Sequence, residues 1–355
     1  MVDCISFAPA TTANVGPGYD IMGYALMWLG DFCLVEKVEQ QGDPILWRGV
    51  AGPMSPFLQN LKPERNAAFA AARYAFMRLR EHYDLDFNLS LTLHKYMPIG
   101  SGLGSSSAST VAAVKGVLAA AERELPQNDI IDALLLGEET ACGTGHPDNV
   151  IPSYFGGFFL MMSENYDDLP AGEKRFHRIK GGENLVSIIV KPDVSLNTSE
   201  SRAALNNHIR RSFLEMRGFE PVDILSLVRQ QSIKAAEAVL SYQSDDIRRL
   251  GAIMRNNDLL EIPRGSLIPR FREVKGAALS AGAYGCSIAG SGPSMVAITD
   301  DETKAVAIRD AMQDAFGEVP SRWLISPVNN EGAVIVDDIE TFLADCRPHT
   351  DMLPT

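Results

Sequence analysis

The sequence has few cysteines, and their arrangement does not suggest a cross-linked or metal-bound fold. The five cysteines, Cys4, Cys33, Cys142, Cys286 and Cys346, are odd in number and scattered, and they lack the CxxC and Cys/His spacing of structural zinc sites. Disulfide frameworks and structural zinc sites use closely spaced cysteines. The pattern therefore indicates a reducing compartment, and we predict a cytoplasmic location.

Long apolar runs and an excess of positive charge are also missing. No uninterrupted stretch of about 18 apolar residues occurs, and no basic segment followed by an apolar run stands at the N-terminus. The 32 Lys and Arg against 45 Asp and Glu give a net charge of −13. This balance opposes the phosphate-neutralising surface of a nucleic-acid binder. We therefore expect a small-molecule ligand, with neither nucleic acid nor a membrane as partner.

The composition is that of a globular protein with two domains. Of the 355 residues, 46% are hydrophobic and 22% charged, and a domain usually takes roughly 150 residues. The polar run 163–173 predicts a boundary, which gives domains 1–165 and 166–355 of mixed α/β (α+β) class. Strands are predicted at 32–38, 88–94, 155–162, 185–191, 294–299 and 322–326, and helices at 64–80, 105–124, 129–142, 223–240, 244–255, 270–281 and 302–316.

The most informative segment is a glycine-rich loop between a predicted strand and helix, with the sequence Pro98-Ile-Gly-Ser-Gly-Leu-Gly-Ser-Ser-Ser-Ala108. Three glycines in five positions expose backbone N–H groups, and the start of the following helix adds partial positive charge, so the loop predicts phosphate binding. A Walker A loop, a Rossmann fingerprint and a protein-kinase loop each require other residues or companion motifs. A glycine-lined helix start without a ligand remains the alternative.

Two further glycine-rich segments accompany this loop: Ala8–Asp20, interpreted as a polar loop that ends in a carboxylate, and Ala289–Ser294. Together the three segments, with the core P-x-G-x-G-L-G-S-S, resemble the GHMP kinases, the superfamily of galactokinase and of homoserine, mevalonate and phosphomevalonate kinases. APATTANVGPGYD, GHPDNVIPSYFGG and EIPRGSLIP are most similar to the homoserine kinase branch. The resemblance implies a ribosomal-protein-S5-like N-terminal domain and a ferredoxin-like C-terminal domain.

The resemblance also implies ATP and Mg²⁺ as cofactors, and L-homoserine as the substrate converted to O-phospho-L-homoserine for threonine synthesis. Phosphoryl transfer needs a phosphate cradle, metal ligands and a positioned acceptor hydroxyl. The resemblance assigns Mg²⁺ to Ser106 and Glu138, although a one-residue misalignment would replace Glu138 by Glu139. It assigns ATP binding to Asn66, Pro98, Ile99, Gly100, Ser101, Gly102, Leu103, Gly104, Ser105, Ser106, Ser107 and Ala108. Asn66 is equally well explained as a helix N-cap.

The substrate side, by the same resemblance, comprises Asn14, Asp20, His146, Asn149, Arg202 and Arg264. A carboxylate at Asp20 suits an ammonium group, and a guanidinium at Arg264 can bind a carboxylate through two parallel hydrogen bonds. Arg202 and Thr198 are candidates for orienting and stabilising the transferring group. Without the resemblance, a surface turn charge would explain Arg264 as well as a functional role does. A surface charge would explain Arg202 better, and His146 would be a structural histidine.

Asn149 raises the question of the catalytic base. Related mevalonate kinases have an aspartate where Asn149 stands here, and an amide cannot accept the proton of an alcohol. We therefore predict catalysis by Asn149, Thr198 and Arg202 without a dedicated base, with the neighbouring Asp148 as the alternative. A mevalonate-type kinase and a non-catalytic nucleotide-binding regulator are the other functions considered, and a homodimer stays open.

Overall fold

The computed structural model describes residues 4–40, 42–163, 175–194, 196, 201, 203–204, 206, 221–255 and 258–353. The strands of these residues are β1 (Cys4–Ala13), β2 (Met22–Glu39), β3 (Ile45–Ala51), β4 (Phe87–His94), β5 (Phe158–Met161), β6 (Phe176–Ile179), β7 (Val186–Pro192), β8 (Gly285–Ile288), β9 (Met295–Thr299), β10 (Ser321–Pro327) and β11 (Val334–Val336). The helices are α1 (Ala67–His82), α2 (Ser105–Ala121), α3 (Gln127–Cys142), α4 (Pro147–Phe155), α5 (Pro221–Gln243), α6 (Ile247–Met254), α7 (Asp258–Gly265), α8 (Phe271–Ser280), α9 (Glu302–Phe316) and α10 (Ile339–Cys346).

The first sheet carries the glycine-rich loop. Among the described residues it has seven strands, with the path β11-β1-β2-β4-β3 and with β5 joined to β2 and β6. Helices α1 to α3 cover it and enclose a core that includes Phe76, Leu89 and Val117. Helix α2 lies close to the sheet because its residues are small: a Cβ at Gly116 would lie 2.6 Å from Val35 Cγ2. This packing holds the start of α2, and the loop before it, against the strands.

The second sheet has the order β10-β7-β9-β8, with every pair antiparallel. Helices α5 to α8 connect β7 to β8, and α9 connects β9 to β10. The order is that of a βαββαβ unit, the ferredoxin-like arrangement that the family resemblance implied. Its core includes Ile188, Met312 and Phe316.

The two sheets are joined more closely than the predicted boundary suggests. The late strands β6 and β11 pair with β5 and β1, and Ile5 lies opposite Val336. The Tyr24 hydroxyl lies 2.8 Å from Ser187 Oγ across the two sheets. The ranges 1–165 and 166–355 stay a prediction for the domains, but the first sheet takes strands from beyond the polar run 163–173.

The largest error of the sequence interpretation is at the N-terminus. Residues 8–13 were predicted to be loop, but they form most of β1, and every residue from 6 to 13 is buried. A strand covered on both faces does not alternate between apolar and polar residues, so its period is hidden. Strands β3, β6, β8 and β11 and helices α4, α7 and α10 were also missed, whereas α9 has the predicted bounds. Within the described residues, no helix combines the length and apolarity that crossing a membrane requires.

Candidate active site

A cavity of about 710 Å³ lies where the two sheets meet. The phosphate-loop candidate, the start of α4 and the end of α7 all border it. Its lining includes Leu58, Leu61, Arg65, Lys95, Ser109, Thr140, Ala141, Cys142, Leu196, Gly290 and Ser291, and predicted site residues Asn14, Asp20, Asn66, Ile99, Gly100, Ser101, Gly102, Gly104, Ser105, Ser106, Ser107, Glu138, His146, Asp148, Asn149 and Arg264.

The glycines of the loop are required by both backbone conformation and space. Gly100, Gly102 and Gly104 have φ values of 65°, 78° and 68°, in the left-handed region that other residues avoid. A Cβ at Gly102 would lie 2.5 Å from the carbonyl oxygen of Ala289, and one at Gly104 would lie 2.2 Å from Thr11 Oγ1. The loop is therefore held between the first strand and the second glycine-rich turn, with α2 starting at its end.

The three glycine-rich segments of the sequence meet at this point. The Gly290 N–H donates to the carbonyl oxygen of Ala13 at 3.2 Å, and the Ser294 N–H donates to that of Ser101 at 3.3 Å. Asn14 Nδ2 donates to the Gly290 carbonyl oxygen at 3.0 Å. Segments separated by more than 180 residues thus form one wall of the cavity.

Glu138 supplies a buried carboxylate beside the loop. It is 2% exposed, its Oε2 lies 3.1 Å from His146 Nδ1, and its Oε1 has no hydrogen-bond partner among the described residues. A buried carboxylate oxygen without a partner is costly, so this donor set suits a cation. Glu139 is exposed and does not line the cavity, which disfavours the one-residue shift.

His146 is a poor candidate for a proton acceptor. Burial lowers its pKa, but hydrogen bonds to Cys142 and Glu138 outweigh this effect and raise the pKa of His146 to about 10. The imidazole is therefore protonated at neutral pH, and the Glu138 carboxylate fixes its orientation.

Asn149 is held at both ends of its amide. Its Oδ1 accepts a hydrogen bond from Thr11 Oγ1 at 2.8 Å, and its Nδ2 donates to Asp148 Oδ1 at 3.2 Å. Asp148 and Asn149 lie in the first turn of α4, which begins at Pro147, a residue with a fixed φ. Burial and the neighbouring Asp20 carboxylate raise the pKa of Asp148 to about 7, partly opposed by His146. Asp148 thus faces the cavity and orients the Asn149 amide.

Charged groups of opposite sign border the same cavity. The Asp20 N–H donates to Asn14 Oδ1 at 2.8 Å, and Asp20 has φ +55°. Arg264 is 2% exposed, its Nη1 donates to the Gly290 carbonyl oxygen at 3.2 Å, and its guanidinium carbon lies 5.3 Å from the centre of the Tyr19 ring. Arg264 is thus a buried helix residue, so its reading as a surface turn charge is wrong.

Comparison with known proteins identifies the family. The profile of the "GHMP kinases N terminal domain" matches residues 66–157, and that of the "GHMP kinases C terminal" domain matches residues 233–318. The homoserine kinase of Chlorobium phaeovibrioides is 33% identical over 93% of this chain and 98% of its own length. The homoserine kinase of Arabidopsis thaliana is 35% identical over 94% of this chain and 85% of its own.

A solved structure agrees with these sequences. The crystal structure of homoserine kinase from Cytophaga hutchinsonii has a TM-score of 0.79 and 31% sequence identity, and the match covers 94% of this chain and 97% of that one. The chain belongs to the GHMP kinase family. The two-domain GHMP kinase fold expected from the three glycine-rich segments is thereby confirmed.

Some of the residues assigned from sequence lie elsewhere in this GHMP kinase. Leu103 and Ala108 are fully buried in the apolar core, Pro98 is buried as well, and none of the three borders the cavity. These side chains pack in the interior and shape the loop, and ATP binding by these residues stays a prediction. Thr198 and Arg202 lie outside the described residues.

Asn66 is a helix N-cap that also lies at the cavity. Its Oδ1 caps helix α1 by accepting hydrogen bonds from the N–H groups of Ala68 and Phe69, at 3.0 and 3.4 Å. The residue also lines the cavity. The N-cap is therefore confirmed, and nucleotide contact by Asn66 stays a prediction.

Sequence reasoning missed a buried ion pair under the loop. Lys95 Nζ pairs with the Asp31 carboxylate and donates to the carbonyl oxygen of Ser105 at 2.6 Å and to Ser109 Oγ at 2.9 Å. Burial lowers the pKa of Lys95, whereas Asp31 acts to raise it. The pair ties β2 to the first turn of α2 and so supports the loop. Nothing local in the sequence links two residues 64 positions apart.

Replacing Gly104 tests the loop. Gly104→Ala should lower kcat/KM for ATP about 100-fold, because the new Cβ would displace Thr11 and with it the Asn149 amide. Gly42→Ala is the matched control, since Gly42 has φ +65° and no atom within 4 Å of the added Cβ. Steady-state kinetics measures kcat/KM for ATP in both variants, and denaturant unfolding measures their stability. Both substitutions add backbone strain of about 1–2 kcal/mol. If Gly104→Ala and Gly42→Ala lower kcat/KM equally, this strain explains the loss and the position of Gly104 in the loop does not.

Proposed function

We propose that this protein transfers the γ-phosphoryl group of ATP to the side-chain hydroxyl of L-homoserine and forms O-phospho-L-homoserine. The observation that carries the proposal is that a glycine cradle, a buried carboxylate without a partner and a second set of opposite charges line one cavity. The sequence relatives that are homoserine kinases support the same reaction.

The charges match the two ends of an amino acid. The ammonium group of homoserine requires an anion, which Asp20 provides, and Asp148 adds a second carboxylate nearby. The carboxylate of homoserine requires a cation, which Arg264 provides in a buried position where its guanidinium holds a fixed direction. A substrate that lacks the ammonium group could not form this ion pair with Asp20.

The donor set beside the loop fits Mg²⁺. Ser106 and Glu138 offer oxygen atoms, which this cation prefers, and the Glu138 Oε1 atom has no competing partner in the described part of the chain. When bound, the ion neutralises phosphate charge in the transition state. The loop N–H groups and the start of α2 would hold the phosphates.

The reaction forms a bond between the homoserine oxygen and the γ-phosphorus and breaks the bond to the bridging oxygen, releasing ADP. Asn149 holds the attacking hydroxyl, and its two hydrogen bonds to Thr11 and Asp148 set the direction of the amide. Because a largely dissociative transition state needs little early proton transfer, the alcohol proton leaves late, to phosphate oxygen or water. Positioning and electrostatics then supply most of the rate.

One assay on the purified protein tests this function. With ATP and Mg²⁺, ADP release should depend on L-homoserine and not on mevalonate, and mass spectrometry should detect O-phospho-L-homoserine. Preference for mevalonate would show that the protein is a different alcohol kinase of the family. Nucleotide binding without turnover on either alcohol would favour a regulatory role.

The metal assignment predicts a change in Mg²⁺ dependence. Glu138→Gln keeps the shape of the side chain but removes the charge, so the Mg²⁺ concentration for half-maximal activity should rise about 10- to 100-fold. Ser106→Ala should act in the same direction with a smaller effect. The exposed neighbour Glu139→Gln is the control and should leave the requirement unchanged. If Glu138→Gln and Glu139→Gln have the same Mg²⁺ curve, the metal site lies elsewhere.

A further inference from the structure

A cluster of three metal-binding side chains borders the nucleotide end of the cavity. Glu138 and Cys142 stand one turn apart in α3, and His146 immediately precedes α4. One ligand atom of each residue lies within 4.8 Å of those of the other two. The cluster brings a thiol beside the carboxylate that the proposed function gives to Mg²⁺.

The cluster has room for an additional bond. Glu138 is 2% exposed, and its Oε1 has no hydrogen-bond partner among the described residues. Cys142 lies at the protein surface and lines the cavity, which gives an ion a path from solvent. Ser106 Oγ lies 3.9 Å from Cys142 Sγ, so the loop bounds the remaining side.

The distances are close to those of a tetrahedral zinc site. With bonds of about 2.0–2.1 Å to nitrogen and oxygen, two ligands of a tetrahedral ion lie about 3.3 Å apart. Glu138 Oε2 and His146 Nδ1 lie 3.1 Å apart. With a sulfur–metal bond of about 2.3 Å, the sulfur has to approach by about 1 Å at most, which a change of the Cys142 side-chain rotamer allows.

We propose that Glu138, Cys142 and His146 form a binding site for a thiophilic divalent cation, with Zn²⁺ as the natural ligand. Three protein ligands and an open fourth position are the donor set of an exchangeable zinc site, and a thiolate selects such ions over Mg²⁺. A metal-bound cysteine is a thiolate, so binding releases the thiol proton of Cys142. Competition with Mg²⁺ for Glu138 rests on the proposed function, whereas the binding itself does not.

The consequence for the enzyme is inhibition by zinc. An ion on Glu138 and Cys142 removes a ligand from the Mg²⁺ site and places a second positive charge beside it. Raising the Mg²⁺ concentration should therefore relieve inhibition by Zn²⁺. Thiol buffers that bind zinc should relieve it as well.

The test uses Co²⁺ as a spectroscopic probe on the full chain without nucleotide. Co²⁺ should give a thiolate-to-metal charge-transfer band in the near ultraviolet, and Zn²⁺ should displace it. Cys142→Ser should abolish the band and weaken Zn²⁺ binding by calorimetry at least about tenfold. Cys4→Ser is the matched control, since it also removes a thiol, and it should keep the band.

Two results would overturn the proposal: no charge-transfer band in the wild-type protein, or a band that survives in folded Cys142→Ser. Circular dichroism establishes folding, and His146→Gln provides a second variant that should also weaken Zn²⁺ binding. The spectrum does not depend on turnover, so failure of the kinase assay and failure of the zinc site are distinguishable.

Discussion

Asn149→Leu is expected to lower kcat at least about 100-fold, because leucine removes both the amide that holds the attacking hydroxyl and its hydrogen bonds to Thr11 and Asp148. Leucine is close to asparagine in size, so the cavity keeps its shape. Single-turnover phosphoryl transfer to homoserine measures the chemical step directly. Binding of ATP should change little, since Asn149 acts on the acceptor.

Asp148→Asn separates positioning from proton transfer. The new Oδ1 can still accept the hydrogen bond from Asn149 Nδ2, so an orienting residue should keep kcat within about tenfold, whereas loss of a base should cost roughly 10²–10⁴-fold. The pKa of Asp148 is raised to about 7, so a base there would give kcat an acidic limb near neutral pH that the variant lacks. Such a limb, together with near-complete loss of turnover in Asp148→Asn, would contradict the base-free mechanism.

Asp20→Asn is expected to raise KM for homoserine far more than KM for ATP. Loss of a counter-ion to a desolvated ammonium costs on the order of 2–5 kcal/mol, which corresponds to roughly 30-fold to several-thousand-fold. The substitution adds no backbone strain, because asparagine tolerates the φ of +55° at this position as well as aspartate does. Steady-state kinetics with each substrate varied in turn measures the ratio.

Glu139→Gln serves as the control for charge alone. It removes one negative charge near the site from an exposed side chain that does not line the cavity. If KM for homoserine rises in both Asp20→Asn and Glu139→Gln, the cause is the overall electrostatic field of the acidic protein. Equal rises in both substrate KM values for Asp20→Asn would contradict its role in binding the ammonium group.

The parts of the site that could be predicted from sequence are those formed by residues close together in the chain. Gly100, Gly102 and Gly104 have left-handed φ values, which glycine adopts readily because it has no Cβ. Such a local requirement is visible in the sequence. His146 and Asn149 are three positions apart at the start of one helix, so their proximity could also be predicted.

The parts that could not be predicted depend on contacts between distant segments. Lys95 and Asp31 look like ordinary surface charges in sequence, and only the fold buries them together. The cavity position of Asp148 depends likewise on the contact of α4 with β1. Strand β1 has no alternation because the molecule covers both its faces, and β11 is only three residues long. Periodicity carries little information in either case.

The pairing of β1 with β11 has a consequence for how the chain is made. Cys4–Ala13 is synthesised long before Val334–Val336, the strand that pairs with its outer edge. Until then the strand presents unpaired N–H and C=O groups, the kind of edge that recruits other chains. A variant truncated before Val334 would leave this edge of β1 unpaired, so we expect it to aggregate more readily than the full chain.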